Sequence, residues 1–227
     1  IKVMNHFVSN YGSDPTVTYL LDTYDWHFVP VFNPDGYEYT WTQRMWRKNR
    51  ATNPGSSCLG TDLNRNHDWN WGLQGVSHDP CSDTFCGSSE CSELECQAIQ
   101  AEITRVQTAQ GIESMMTFHS YGRMWMHPWG NTLDFTSSTA CERATDHDEM
   151  YRVADITANA IAATHGTSWA RGTSCEVIYA TTGATDDWAK GVLGVPHDIC
   201  PELRGNNFIV NESEIQPSFE EIWNGIV

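Results

Sequence analysis

The chain has 227 residues, 40% of them hydrophobic and 11% aromatic, which excludes wholesale disorder. Thirteen basic residues against 29 acidic ones leave a formal net charge of −16. Such a surface repels phosphate, so nucleic acid is not an expected partner, whereas cationic peptides are attracted. No run of about 18 apolar residues occurs, so no membrane-spanning helix and no membrane partner are expected. The N-terminus, Ile1-Lys2-Val3-Met4, has neither a starting Met nor a signal peptide and reads as a processed or truncated end.

In chain order, Val3, Met4, Phe7 and Val8 share one helical face, and Asn10 and Gly12 stop that helix. Asp14-Pro15 opens a second short helix, with Asp as the cap and Pro in the first turn. The apolar run from Trp26 to Phe32 predicts a strand, and Asn33-Pro34-Asp35-Gly36 predicts a turn. Residues 50–90 are rich in Gly, Ser, Asn, Asp and Cys and read as long loops pinned by disulfides. Ser92-Glu93-Leu94-Glu95 has the pattern of a capping box, and the helix behind it turns Leu94, Ile99, Ile103 and Val106 inward. Residues 113–119 predict a buried strand. Residues 148–165 predict a helix ended by Gly166, with Val153, Ile156, Ala160 and Ile161 along one stripe. Residues 197–203 predict another strand, and a last helix carries Ile215, Phe219, Ile222, Trp223 and Ile226. Helices alternate with strands, so the fold class is α/β, a mixed twisted sheet flanked by helices. With no repeat, low-complexity tract or linker, residues 1–227 read as one domain.

Eight cysteines are more than a cytosolic enzyme of this size usually carries. Cys81, Cys86, Cys91 and Cys96 recur every fifth residue, wider than the tight pairs that metal sites prefer. Disulfides and a secreted setting are therefore expected, with a metal cluster as the alternative. The sequon Asn211-Glu212-Ser213 agrees with secretion.

Several polar residues sit where chemistry is possible. His119 ends an apolar strand, where it is either a satisfied core histidine or a group at the edge of the sheet that binds ligands. Glu202 lies inside an apolar strand, where a carboxylate is paired or functional. Strand alternation lets Arg204 be that pair; a general base near a metal is the other reading. Asn64 and Arg65 together could grip a carboxylate in two places, or be a solvated loop. Arg47 alone would pass for part of a surface basic cluster.

Taken in order, these motifs resemble the zinc metallocarboxypeptidases of the pancreatic A/B type. They are Asn33-Pro34-Asp35-Gly36, Trp46-Arg47-Lys48, Asp62-Leu63-Asn64-Arg65-Asn66, His119-Ser120-Tyr121, Ile178-Tyr179 and Glu202-Leu203-Arg204. The resemblance implies a secreted, monomeric digestive enzyme using Zn2+, acting on peptides and proteins with a free C-terminus. It makes His119 a zinc ligand, Glu202 the general base and Arg47 the residue that polarises the scissile carbonyl. It also makes Asn64 and Arg65 the holders of the terminal carboxylate, Tyr179 a mobile tyrosine closing over it, and Tyr121 and Phe208 further substrate contacts. It places Asp186 at the base of the pocket for the terminal side chain, which suits Lys or Arg and points to the B-type branch. The alternatives are an A-type enzyme for aromatic or aliphatic ends and a non-catalytic secreted peptide-binding relative. The resemblance pairs Cys58 with Cys81 and Cys141 with Cys175, and leaves Cys86, Cys91, Cys96 and Cys200 unassigned. The family's other two zinc ligands lie in a His-x-x-Glu motif upstream of where the chain begins, and its final helix is longer. The chain is therefore expected to be truncated at both ends and inactive alone, with a missing N-terminal segment or chain as a partner.

Overall fold

The computed structural model describes residues 1–135 and 140–227. Helices α1 (Lys2–Asn10) and α2 (Pro15–Thr23) open the chain. The carboxylate of Asp14 caps α2 by accepting from the Thr16 and Val17 amides, and Pro15 fills the first turn, where its missing N–H is harmless. Helix α3 (Pro34–Tyr39) replaces the predicted turn: Asn33 accepts from the Gly36 amide as an N-cap, so the Asn-Pro-Asp-Gly signal starts a helix.

The run 26–32 forms no strand, although its residues favour β structure. Val29 and Val31 are exposed, no described residue pairs with the run in a ladder, and Pro30 has no N–H to give one. Trp26 instead packs its ring 4.7 Å from Phe7. Phe7 is the buried residue of α1; Val8, expected on the same face, is solvent-exposed.

Helix α4 (Leu94–Gln110) lacks the predicted capping box. The Ser92 hydroxyl donates to its neighbour Glu93 at 2.7 Å, and Glu93 occupies the cap without a side-chain bond. Ile103 and Val106 are buried as expected, but Leu94 is 78% exposed, because it lies on the helix face opposite the stripe that buries Glu93, Cys96, Ile103 and Val106.

Five short strands follow: β1 (Ser114–Met116), β2 (His119–Ser120), β3 (Met124–His127), β4 (Ala170–Thr173) and β5 (His197–Leu203). The predicted strand over 113–119 is thus split into β1 and the start of β2. Both pair with β5 in parallel, while β3 pairs with β5 antiparallel and with β4 in parallel. The sheet is mixed, with β5 inside it.

Alternation along β5 gives its two faces different tasks. Ile199 packs into a core with Trp125, Trp169, Ala158, Ile161 and Ile222, supplied by α5 (His147–His165) and α8 (Ile215–Ile226). On the other side, α4 and α7 (Thr185–Leu193) bury Ile103, Trp188, Ala189 and Val195. Both faces of the sheet are therefore covered. Within α5 the buried stripe runs through Met150, Ala154, Thr157, Ala158 and Ile161, and the predicted Ile156 points to solvent. Helices α5 and α8 cross at Gly225, where a Cβ would lie 3.1 Å from Ile161 and 2.9 Å from Thr157.

Ile161 is fully buried at that crossing. Ile161→Ala is expected to lower unfolding free energy by about 2–5 kcal/mol in denaturant titration, while Leu94→Ala shifts it by less than about 0.5 kcal/mol. Equal losses would mean the two helices do not pack as described.

Candidate active site

The site grows from the end of β5. The parallel register sets His119 of β2 opposite Glu202 of β5. Arg47, in a loop after α3, lies close enough to both to lower their pKa values. Burial pushes Glu202 up to about 7 against that pull of Arg47, and its Oε2 has no hydrogen-bond partner. Burial, aided by Arg47 and Arg65, pushes His119 down to about 4, so the ring is neutral at physiological pH. The ion pair between Glu202 and Arg204 that sequence left open does not form. Arg204 turns instead to Glu214 at 2.8 Å and Glu221 at 3.1 Å.

Asp62 organises the cationic side. One carboxylate oxygen accepts from the Asn64 amide and caps the 3-10 turn Leu63–Arg65, and the other accepts from Arg47 Nε at 2.8 Å. Asp62 is 3% exposed, whereas the Arg47 side chain is 38% exposed, so a buried carboxylate anchors a guanidinium that still reaches the open site. Sequence reading included Asp62 in the Asp62-Leu63-Asn64-Arg65-Asn66 motif but gave it no role; its signal was an acidic residue directly before a turn carrying Asn and Arg. Arg65, 2% exposed, donates to Gly75 O at 3.0 Å, Asn64 O at 2.7 Å and the Tyr179 hydroxyl at 3.1 Å. Gly183 approaches this turn so closely that a Cβ would lie 2.4 Å from Arg65 O, and its φ of +76° is in the left-handed region.

Tyr179 follows the short helix α6 (Ser174–Val177), which the Cys141–Cys175 disulfide ties to the preceding loop. Its ring is 51% exposed and tethered only at the hydroxyl end by Arg65 among the hydrogen bonds described. Tyr121 and Phe208 meet edge to face, with centroids 4.9 Å apart, beyond the ends of β2 and β5.

Asp186 sits in the first turn of α7 and is 2% exposed; burial raises its pKa to about 6 while Arg65 pulls it down. It has two acidic neighbours that sequence reading did not single out for the site. Asp187 accepts from the Gly130 amide with both oxygens, at 3.0 and 3.1 Å. Asp198, on the same β5 face as Glu202, is fully buried with neither carboxylate oxygen hydrogen-bonded. Burial first, and then the neighbouring Asp186 charge, push both carboxyls well up. Cys200, between Asp198 and Glu202 on that face, is a buried free thiol, its pKa pushed well up by burial. Cys58–Cys81 and Cys91–Cys96 are the other disulfides, and Cys86 is free and buried.

A neutral imidazole, a carboxyl poised near neutrality and two arginines converge here on one end of the sheet. Such a group can move a proton and stabilise negative charge. A family model described as zinc carboxypeptidase matches residues 1–225. The chain belongs to the zinc carboxypeptidase family. Carboxypeptidase B of Astacus astacus is 38% identical over 229 residues, covering 99% of this chain and 71% of that protein. Carboxypeptidase A2 of Rattus norvegicus is 38% identical over 226 residues, covering 98% of this chain and 51% of that one. A crystal structure of thrombin activatable fibrinolysis inhibitor superimposes with a TM-score of 0.88 at 32% identity, over 97% of this chain and 54% of that chain. The chain spans about half the length of several curated relatives it matches, among them carboxypeptidase A2 of Rattus norvegicus and carboxypeptidase B of Bos taurus.

The family name implies zinc. Among the described residues, no group of three or more His, Cys, Asp or Glu side chains is placed to hold a metal ion. His119 offers one neutral donor, and these residues do not complete a zinc site by themselves.

The buried Asp198 makes stability depend on pH. Its pKa is raised on folding, so the folded protein holds the proton more tightly than the unfolded chain, and stability falls as pH rises above the ordinary Asp value. Asp198→Asn removes that dependence. The stability difference, variant minus wild type, is expected to grow between pH 4 and pH 7 by up to about 1.4 kcal/mol per pH unit. Thermal unfolding across that range checks it, and a flat difference would mean that Asp198 is not held protonated.

Proposed function

We propose that the protein carrying this chain is an exopeptidase that releases C-terminal Lys or Arg from peptides and proteins. The observation that carries this reading is the hydrogen bond from the Thr185 amide to Asn64 Oδ1 at 3.1 Å. The carboxylate and side chain of a C-terminal residue hang from one Cα, so their receptors must be adjacent. This bond joins the Asn64–Arg65 turn directly to the residue before Asp186.

In this reading Arg65 and Asn64 hold the terminal carboxylate, with the exposed Tyr179 adding its hydroxyl from one side. Asp186 pairs with the cationic side chain. Glu202 takes a proton from the attacking water and passes it to the leaving amine. Arg47, steadied by Asp62, donates to the oxygen that gains charge as the carbonyl is attacked. Tyr121 and Phe208 flank the chain leading into the site. Zn2+ is the cofactor of this reading, with His119 as this chain's donor and its remaining donors supplied from outside residues 1–227. When bound, the ion would supply Lewis-acid chemistry to the carbonyl and the water. The disulfides and the acidic surface suit a secreted, monomeric enzyme whose substrates are basic peptides.

Two substitutions in the full-length protein test this. Glu202→Gln keeps shape but cannot accept the proton, so turnover is expected to drop by about 10²–10⁴-fold with zinc content unchanged. Near wild-type turnover would remove Glu202 from the chemistry. Asp186→Ile is expected to reduce kcat/KM for a C-terminal Arg peptide, relative to a C-terminal Phe peptide, by about 30- to 1,000-fold, the equivalent of about 2–4 kcal/mol. Equal losses on both peptides would assign Asp186 to structure and favour an A-type enzyme.

A further inference from the structure

Behind the Asn64 side chain runs a line of hydrogen bonds whose directions can be assigned from chemistry alone. It starts at the exposed Asp68, whose Oδ1 accepts. Gln100, on α4, places its amide nitrogen 3.1 Å from Asp68 Oδ1, so that end of the Gln side chain is the NH2 group. The same nitrogen lies 3.2 Å from His67 Nδ1. Nδ1 therefore accepts. The Cys96 sulfur 3.7 Å from Nδ1 is locked in a disulfide and brings no proton. A neutral ring that accepts at Nδ1 carries its proton on Nε2. His67 Nε2 lies 2.8 Å from Thr185 Oγ1, so the ring donates to the hydroxyl. The hydroxyl proton is then free to point at Asn64 Oδ1, 3.4 Å away. The Thr185 backbone amide donates to the same oxygen at 3.1 Å. Both bonds converge on Oδ1, which leaves the NH2 end of Asn64 facing outward.

His67 is built for a constant role. It is fully buried, with its ring 5.8 Å from Trp188 and 6.3 Å from Phe32, and burial pushes its pKa down to about 3. Its backbone amide donates to Gly183 O at 3.1 Å, on the segment that leads into α7. The ring therefore stays neutral across the working pH range and does not itself reach a substrate.

We infer that His67 is a positioning residue: through Thr185 it orients the Asn64 side chain so that its amide N–H groups face the terminal carboxylate of a peptide. The inference deepens the exopeptidase reading above and rests on it for the identity of the ligand. A line of donors that starts at the exposed carboxylate of Asp68 and runs through the buried His67 ring holds Asn64 in one of two nearly isosteric amide orientations, and only that one presents donors to an anion. The flipped amide would present its oxygen to the carboxylate instead.

The test compares His67→Phe, which fills the space without a donor, with His67→Gln, whose amide can still donate to Thr185. Thr185→Val, which removes the hydroxyl at nearly constant shape, and the His67→Phe/Thr185→Val pair complete the set. Each is made in the full-length zinc-loaded protein and assayed on benzoyl-glycyl-arginine. Losing one positioning hydrogen bond is expected to raise KM about 3- to 10-fold in His67→Phe and in Thr185→Val, with kcat nearly unchanged. His67→Gln should stay close to wild type, and the double variant should be no worse than either single one. A fall in kcat at constant KM, equal damage from Gln and Phe, or multiplying losses would overturn the inference. If His67→Phe fails to fold, Thr185→Val with Thr185→Ser as its rescue carries the same comparison. A second readout does not need activity. Side-chain 15N NMR of the wild type should show His67 as a neutral ring protonated at Nε2 from pH 5 to pH 8. An Nδ1–H ring or an imidazolium at pH 6 would overturn the inference even in a fully active enzyme. If the wild type cleaves no peptide with a free C-terminus, the exopeptidase reading falls, and the nitrogen spectrum decides the hydrogen-bond line on its own.

Discussion

Strand β5 is the constraint on which the rest of the structure depends. It is bonded on one edge to β1 and β2 and on the other to β3, so its register cannot slip without breaking both ladders. A slip of one residue would also exchange its two faces. Ile199 would leave the apolar core, and Asp198, Cys200 and Glu202 would enter it. The apolar packing of α5 and α8 against one face thereby fixes where Glu202 stands on the other. The chemistry at the end of the sheet is set by hydrophobic burial behind it.

The polar half of the site relies on sharing. Asp62 caps the turn that carries Asn64 and Arg65, and it also holds Arg47. One buried carboxylate thus orients three of the groups that a peptide would meet. The Thr185–Asn64 contact does the same between α7 and that turn. Such connections matter because buried polar atoms are expensive unless bonded, so each added partner narrows the geometry that folding accepts. A long, irregular segment can then present a rigid set of donors. Residues 50–90 contain little regular structure, yet Asn66, Arg65 and His67 within them are buried and hydrogen-bonded.

Beneath α7 the balance runs the other way. Asp186 lies close enough to raise the pKa values of Asp187 and Asp198, Asp187 adds to the rise at Asp198, and Lys190 and Arg65 answer only part of that charge. Buried like charges destabilise a fold, and natural sequences carry such strain mainly where function needs it. A cationic ligand side chain would relieve the strain on binding, which is why the acidic cluster and the proposed preference for Lys or Arg belong to one argument.

Much of this protein is readable from its sequence. Apolar periodicity located α1, α4, α5, α8 and β5, because burying one face imposes its period on the chain wherever the element packs. The ordered motifs pointed to the zinc carboxypeptidase family, because groups that act together must keep their types and their order. Other features were decided only by tertiary structure. The β-favouring run 26–32 has no ladder partner among the described residues, and propensity cannot supply one. Leu94 and Ile156 are apolar yet exposed, because packing buries the stripe through Cys96, Ile103 and Val106 in α4 and through Met150, Ala154 and Ile161 in α5, and both residues lie off it. Arg204 passed over Glu202, its neighbour two residues away on the strand, for Glu214 and Glu221, which α8 and the turn before it bring across. Asp198 and His67 gave no signal of their own. One became an unpaired buried acid and the other a fixed donor only when α7 closed over β5 and the Asn64 turn, since burial and hydrogen-bond partners belong to the packed chain rather than to any local stretch of it.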